Sequence, residues 1–380
     1  MFSRLNAIRN NRLTASVTVL ALAISLSACG GEKPSTTESP STTATGTDRL
    51  GLTQDVSLNG VGGTFPAPLY QTWFTDLNQK YPKLKVNYNA QGSGAGVEAV
   101  IKGTVDFGAS DVAMKDDEIK KVPADRGVLM LPMTAGSIVL AYNLPDVPDL
   151  KLSRKAYVDI FLGKIKSWDD PAIAKDNQGA KLPKQPISVV YRSEGSGTTG
   201  VFTKHLSAIS PEWKTKVGEG KSVKWLVGIG AKGNDGVAAQ ITQTPGAIGY
   251  VEYGYAKGKL KFAALENKAG KFVVADDKSA AKTLEAVTLP PNLRAFITDP
   301  DGADSYPIVT YTWLLTYKKY PDPVKAKAIE AMIEYGLTEG QKQAQQLGYI
   351  PLPQKVVEQV ATVANTISPD YKITVADKGK

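Results

Sequence analysis

The chain has 380 residues, 42% of them hydrophobic, with 35 Gly and 23 Pro, which is enough to bury two domains and too apolar for a disordered or fibrous chain. One Cys and one His exclude an intrachain disulfide, argue against a Cys/His metal site, and remove the ordinary Ser–His and Cys–His catalytic pairs unless His205 serves alone. The formal charge of +8 is spread without a dense basic block, which argues against nucleic acid as a partner, while a mildly positive surface still steers anions.

Arg4, Arg9 and Arg12 precede a mostly apolar, small-residue stretch from Leu13 to Ala28, too short and too interrupted by Ser and Thr for a membrane span. It ends in Leu26-Ser27-Ala28-Cys29, which resembles the bacterial lipobox, and the chain's only Cys falls at that cleavage point. Residues 1–28 therefore read as a lipoprotein signal peptide and Cys29 as the lipidated first residue. Its removal leaves 42 Lys and Arg against 37 Asp and Glu. From Glu32 to Asp48 the chain is mostly Ser, Thr and Pro with nothing apolar larger than Ala44, so residues 29–51 are expected to form an extended tether above a membrane.

The folded body is expected from Leu52. Gly62-Gly63-Thr64-Phe65 leads into a helix with Leu69, Trp73 and Leu77 on one face. Leu84 to Tyr88 alternates as a half-buried strand. Gly92-Ser93-Gly94-Ala95-Gly96 opens a short helix with Val97, Val100 and Ile101 inward, ended by Gly103. Val105 to Ala109 reads as the next strand and delivers Asp111 beyond its carboxyl end, completing a βαβ unit. Ser137–Tyr142 and Ile308–Tyr317 are apolar strands suited to crossing between two lobes. Ile187 to Tyr191, then Gly195 to Thr198, then Thr199 to Leu206 repeat the order strand, glycine turn, helix, with Val201, Phe202 and Leu206 inward.

Three glycine turns at strand-to-helix junctions suggest one small oxyanion held from several sides, since each helix start leaves N–H groups unpaired and partly positive. Thr64 alone suits a plain N-cap, but a cap does not need Gly62 and Gly63 before it. Ser93 lies among three glycines where a tight turn needs one or two. Asp111 by itself reads as a solvated or capping residue. Inside an anion pocket it has a sharper use, because a carboxylate repels any oxyanion that lacks a proton to donate. Phosphate near neutral pH keeps one and sulfate keeps none. Arg192 offers a bidentate fork, Glu194 a brace for it, and Ser196, Gly197 and Thr198 begin a helix. Other matches fail: Gly218 to Ser222 ends like a P-loop but has Thr215 where the first Gly belongs, and no segment fits G-x-S-x-G. His205 reads as a partly exposed structural residue.

Gly62-Gly63-Thr64-Phe65-Pro66-Ala67-Pro68, Val105 to Asp111, Gly163 to Asp170, Gly195-Ser196-Gly197-Thr198, Gly230 to Val237 and Gly246 to Tyr253 resemble motifs of the phosphate-binding proteins of bacterial high-affinity phosphate ABC transporters. The likeness runs from about Leu58 to beyond Gln354. It implies an α/β, two-lobed periplasmic-binding-protein fold of type II, each lobe a mixed sheet flanked by helices and joined by two crossing strands. Lobe I is expected over 52–135 plus 307–380 and lobe II over 136–306. The resemblance also implies phosphate contacts from Gly63, Thr64, Phe65, Ser93, Asp111, Arg192, Ser196, Gly197 and Thr198, with Glu194 where the family commonly has Asp.

The resulting expectation is a non-catalytic, monomeric receptor without cofactor or metal. It binds inorganic phosphate for an ABC permease with a cytoplasmic ATPase, in the periplasm or cell envelope, held by its lipid anchor. The alternatives are a receptor for sulfate or molybdate, a phosphoester hydrolase using Ser93 or Ser196, and a surface scavenger without a transporter.

Overall fold

In the computed structural model, residues 49–375 are described, so the expected signal peptide, Cys29 and most of the tether lie outside the described residues. The folded body starts earlier than Leu52. Leu50 is buried in the core, and Arg49 donates to Glu334 Oε1 (2.8 Å) and to the Lys372 carbonyl (2.6 Å).

β1 (Val56–Gly62) alternates in burial, with Val56 and Leu58 inward and Ser57 and Asn59 outward, as a strand covered on one face must. Residues after it repeat as a helix, and α1 (Ala67–Lys80) buries Leu69, Tyr70, Trp73, Phe74 and Leu77 along one stripe. β2 (Leu84–Ala90) continues two residues past the expected Tyr88, and α2 (Ser93–Lys102) starts inside the glycine run and ends at Gly103. β3 (Phe107–Ser110) is buried throughout. β1 pairs with β2 and β3 in parallel, so the carboxyl ends of all three strands lie at one edge.

β4 (Val128–Tyr142) is the strand shared by both halves of the sheet. Its residues 128–137 pair antiparallel with β8 (Val309–Tyr317), and residues 138–142 pair with β7 (Ala247–Glu252). Pro132, which splits the apolar run in the sequence, sits where the register against Thr312 and Trp313 slips by one, the kind of bulge that tolerates a proline. The chain passes this point twice, since the Ile138 N–H donates to the Ile308 carbonyl at 2.9 Å. β8 itself stays with the first half, pairing among the described residues with β3 and β4 alone. The second half adds β5 (Ser188–Arg192) and β6 (Ile229–Ala231), parallel to each other and to β7. Across the sheet the order is β2-β1-β3-β8-β4-β7-β5-β6, and Lys261–Phe262 pairs separately with β4.

α3 (Gly197–Ile209) follows β5, and α4 (Gly233–Gln243) follows β6. Under them Phe161, Phe202, Trp225 and Tyr250 form an aromatic cluster, with Phe202 stacked on Tyr250 at 4.5 Å between ring centroids. Phe161, Phe202 and Tyr250 are fully buried and each contributes about 1.5–3 kcal/mol of burial, while Trp225 is partly buried against them. The cluster also reaches the carboxyl end of β5 and the start of α3, because Tyr250 Oη accepts the Arg192 N–H (3.0 Å) and bonds Thr199 Oγ1 (2.7 Å). His205 is buried, not partly exposed as expected. α3 packs on more than one face, and His205 Nε2 bonds Tyr157 Oη at 2.8 Å. Burial lowers its pKa to about 4, so it stays neutral.

Candidate functional site

The parallel strands of both halves end at the same place. β1 gives way to Gly63 and Thr64, β2 to Ser93, β3 to Asp111, β5 to Arg192 and Glu194, and β6 to Gly233 and Asn234. β8 runs the other way, so its first residues, Thr310 and Thr312, lie beside the end of β3. This is the edge where open α/β sheets hold ligands.

Asp111 is at the centre. It is 1% exposed. Thr312 Oγ1 donates to its Oδ1 at 3.0 Å, and Ser93 Oγ and Thr198 Oγ1 approach its Oδ2 at 3.4 and 3.5 Å. Its N–H donates to Ser93 Oγ (3.2 Å) and its carbonyl accepts from Thr310 Oγ1 (3.1 Å). Burial raises the carboxyl pKa to about 6, opposed by the hydrogen bond from Thr312, the charge of Arg192, and the bonds from Ser93 and Thr198. At neutral pH it is an ionised acceptor among donors.

Arg192 is 3% exposed. Its Nε (2.8 Å) and Nη2 both donate to Glu194 Oε1, and its Nη1 donates to Thr198 Oγ1 (3.2 Å). A guanidinium has five N–H groups. Those bonds occupy three, which leaves one N–H on each terminal nitrogen as a fork for a planar or tetrahedral oxyanion. Glu194 is held in turn by the Gly233 N–H at 3.2 Å. The longer Glu side chain therefore reaches back across the turn to the start of α4.

Gly197 stands so close to Asp111 that a Cβ there falls 2.6 Å from Oδ2 and 2.3 Å from Ser93 Oγ. Any side chain at that position fills the space between the two halves. The three glycines around Ser93 have separate causes: Gly92 has φ +96°, a Cβ on Gly94 falls 3.0 Å from the Gly195 carbonyl oxygen, and Gly96 lies against the Ala109 carbonyl. Ser196 Oγ caps α3 by accepting the Thr199 N–H at 3.1 Å, a bond that leaves its own hydroxyl proton free to point elsewhere.

Gly63, Thr64 and Phe65 present backbone. Tyr88 Oη donates to the Gly63 carbonyl (2.7 Å), Tyr255 Oη to the Thr64 carbonyl (2.6 Å) and Tyr349 Oη to the Phe65 carbonyl (2.7 Å). In a trans peptide the N–H points opposite to the preceding C=O. Holding the carbonyls of Gly63 and Thr64 outward therefore turns the N–H groups of Thr64 and Phe65 the other way. The Phe65 ring is buried against Gly136 on β4.

Several further participants are not among the residues singled out from the sequence, although Asn234 and Glu252 fall inside the Gly230 to Val237 and Gly246 to Tyr253 segments that carry the resemblance. Thr310 and Thr312 are legible as two hydroxyls at strand period inside an apolar run, Val309-Thr310-Tyr311-Thr312-Trp313. Asn234, fully buried, follows a strand and a glycine, the same signal that marks the other turns. Glu252 is fully buried at the end of β7, where burial holds its carboxyl well above the usual range, and its Oε1 accepts the Gly254 N–H at 2.9 Å. The halves are tied at the rim by Lys221–Glu118 (2.5 Å) and Arg294–Asp116 (2.6 Å).

Residues 35–339 match the PBP superfamily domain. The phosphate-binding protein PstS of Pasteurella multocida is 42% identical over 313 residues, covering 81% of this chain and 90% of that protein. The phosphate-binding protein PstS of Methanocaldococcus jannaschii is 39% identical over 371 residues, covering 90% and 92%. Among solved structures, a phosphate-binding protein from Stenotrophomonas maltophilia superposes with a TM-score of 0.66 at 22% identity, covering 80% of this chain and 93% of that one. The fold is that of a type II binding protein.

Proposed function

The chain belongs to the PBP superfamily and, within it, to the PstS phosphate-binding proteins, and from that membership we propose that it is the inorganic phosphate receptor of an ABC importer. Lobe I (expected over 52–135 with 307–380, and extended back to Arg49 by its bonds to Glu334 and Lys372) and lobe II (136–306) close on one anion, which is then released to the permease without turnover. The contacts come from Gly63, Thr64, Phe65, Ser93, Asp111, Arg192, Ser196, Gly197 and Thr198, with Glu194 bracing the guanidinium.

The observation that carries this reading is a single ionised acceptor, Asp111, inside a ring of hydroxyls and one guanidinium. Such a ring suits an anion with many acceptor oxygens and one proton. Phosphate has that proton at neutral pH. Sulfate leaves the carboxylate facing oxygen, which is costly in a buried site.

Isothermal titration of the purified protein tests the assignment. Phosphate is expected to bind saturably at one site per chain, and sulfate at the same concentration to give no heat beyond dilution. Comparable binding of sulfate makes the protein a receptor for another oxyanion, and absence of binding by either removes the receptor reading.

The receptor is further proposed to sit in the cell envelope on a lipid attached to Cys29. Among the described residues no helix is long and apolar enough to cross a membrane, so attachment would come from that end of the chain. Cys29→Ala is expected to move the protein from the membrane fraction to the soluble fraction while phosphate affinity stays within about twofold, because the Ser/Thr/Pro sequence from Glu32 to Asp48 has no apolar residue larger than Ala44 to tie the anchor to the fold. A Cys29→Ala protein that stays with the membrane ends the lipoprotein claim.

A further inference from the structure

Gly233, at φ +75°, turns the chain after β6 so that the first two N–H groups of α4 face the site from behind. Neither is spent on solvent. The Gly233 N–H goes to Glu194, and the Asn234 N–H goes to Thr64 Oγ1 at 3.1 Å. The Asn234 side chain then donates a second bond to the same oxygen, Nδ2 to Oγ1 at 2.9 Å. Its Oδ1 accepts the Glu252 N–H at 3.0 Å, which fixes the orientation of the amide and puts Nδ2 on the Thr64 side.

A hydroxyl has two acceptor lone pairs and one proton. Two donors from Asn234 occupy both lone pairs of Thr64 Oγ1, so this hydroxyl has only its proton left to offer. We propose that Asn234 is a positioning residue that fixes Thr64 as an obligate hydrogen-bond donor to the bound oxyanion, acting across the two halves of the molecule without touching the ligand. The proposal rests on the reading of this site as a phosphate site.

A Thr64 hydroxyl free to rotate would accept a bond as readily as give one, so it would tolerate a proton-bearing oxygen at its own position and blur the distinction that Asp111 makes. With its lone pairs filled, Thr64 admits only an unprotonated oxygen, and the ligand's proton is directed to Asp111. The bonds to Asn234 also span the cleft, so the hydroxyl becomes an obligate donor only when the halves are together, and part of the affinity is tied to closure.

A double-mutant cycle in the purified full chain, read by phosphate titration, separates this role from general support of the fold. Asn234→Ala is expected to weaken phosphate binding about tenfold when Thr64 is present, and by less than about twofold in the Thr64→Val background, where the Thr64 hydroxyl is gone and only the long contact of Asn234 Nδ2 with Thr198 Oγ1 (3.5 Å) remains. Asn234→Asp keeps the size and the bond to the Glu252 N–H but offers Thr64 an acceptor, so its loss is expected to exceed that of Asn234→Ala and to shrink when Thr64→Val is combined with it. That variant carries the test if Asn234→Ala does not fold. Equal losses from the Asn234 substitutions with and without the Thr64 hydroxyl overturn the proposal and leave Asn234 a packing residue. Failure of the unaltered protein to bind phosphate overturns the receptor reading, and the positioning role with it.

Discussion

Arg192→Ala is expected to lower phosphate affinity by about a hundredfold or more. The two N–H groups left on its terminal nitrogens are charge-assisted donors, each contributing roughly 1.5–3 kcal/mol, and about 3 kcal/mol is already two orders of magnitude. A second loss comes from Glu194. In the intact site its carboxylate is neutralised by Nε and Nη2, with the side chains of Arg192 and Glu194 only 1% and 16% exposed. Without the guanidinium a poorly hydrated negative charge remains beside the anion, next to that of Asp111. Arg192→Ala combined with Glu194→Ala is therefore expected to bind better than Arg192→Ala alone. Arg192→Lys keeps the charge but not the fork and falls between the unaltered protein and Arg192→Ala. Titration calorimetry reads all three, with circular dichroism to confirm the fold. Affinity kept within about twofold in Arg192→Ala places the anion away from this side chain.

The features that can be read in the sequence are those with a local cause. A strand followed by a glycine turn and a helix leaves its mark within some fifteen residues, and so Ser93, Arg192 and Thr198 stand out from their neighbours in the chain alone. Asp111 needs more than its neighbours, since nothing near it in sequence tells a capping Asp from a buried one. Its burial is made by Thr310 and Thr312, about two hundred residues away, through the antiparallel pairing of β8 with β3. The long β4 reads as a strand only from Ser137 onward because Pro132 argues against one, and the bulge that accommodates it depends on β8 as partner. The burial of His205 is hidden for a related reason. One helical turn pattern predicts one buried face, whereas α3 is enclosed by Tyr157 on one side and by the Tyr250 cluster on another. Arg49 and Leu50 resemble the end of a tether in sequence, yet Arg49 finds Glu334 and, more than three hundred residues away, the Lys372 carbonyl. Tyr88, Tyr255 and Tyr349 carry no motif at all. Their role comes only from three elements converging on three successive carbonyls.

Asp111→Asn is expected to abolish most of the discrimination against sulfate while stabilising the empty protein. The carboxyl pKa is raised from 3.8 to about 6, chiefly by burial, and the bonds from Thr312, Ser93 and Thr198 with the charge of Arg192 only partly offset it. A raised acid pKa means that the folded state prefers the protonated form. The resulting penalty is absent below the unfolded value near pH 4, grows as pH rises from there towards the folded value, and is complete above about pH 6. Asparagine has no such penalty. Asp111→Asn should therefore raise the melting temperature of the phosphate-free protein at pH 7 and change it little at pH 4. In binding, the amide replaces an acceptor-only group by one that also donates, so a fully ionised dianion no longer meets a fixed negative charge. Phosphate loses its bond to the carboxylate but keeps the donors of Ser93, Thr198 and Arg192, and its affinity falls by less than that of sulfate rises. The measurement is displacement of labelled phosphate by sulfate in both proteins, beside melting curves at the two pH values. If both proteins exclude sulfate equally, selectivity belongs to the donors around Asp111, among them the Thr64 hydroxyl fixed by Asn234. If the melting temperature at pH 7 does not rise, the ionised carboxylate is better compensated in the empty site than its hydrogen bonds to Thr312, Ser93 and Thr198 account for.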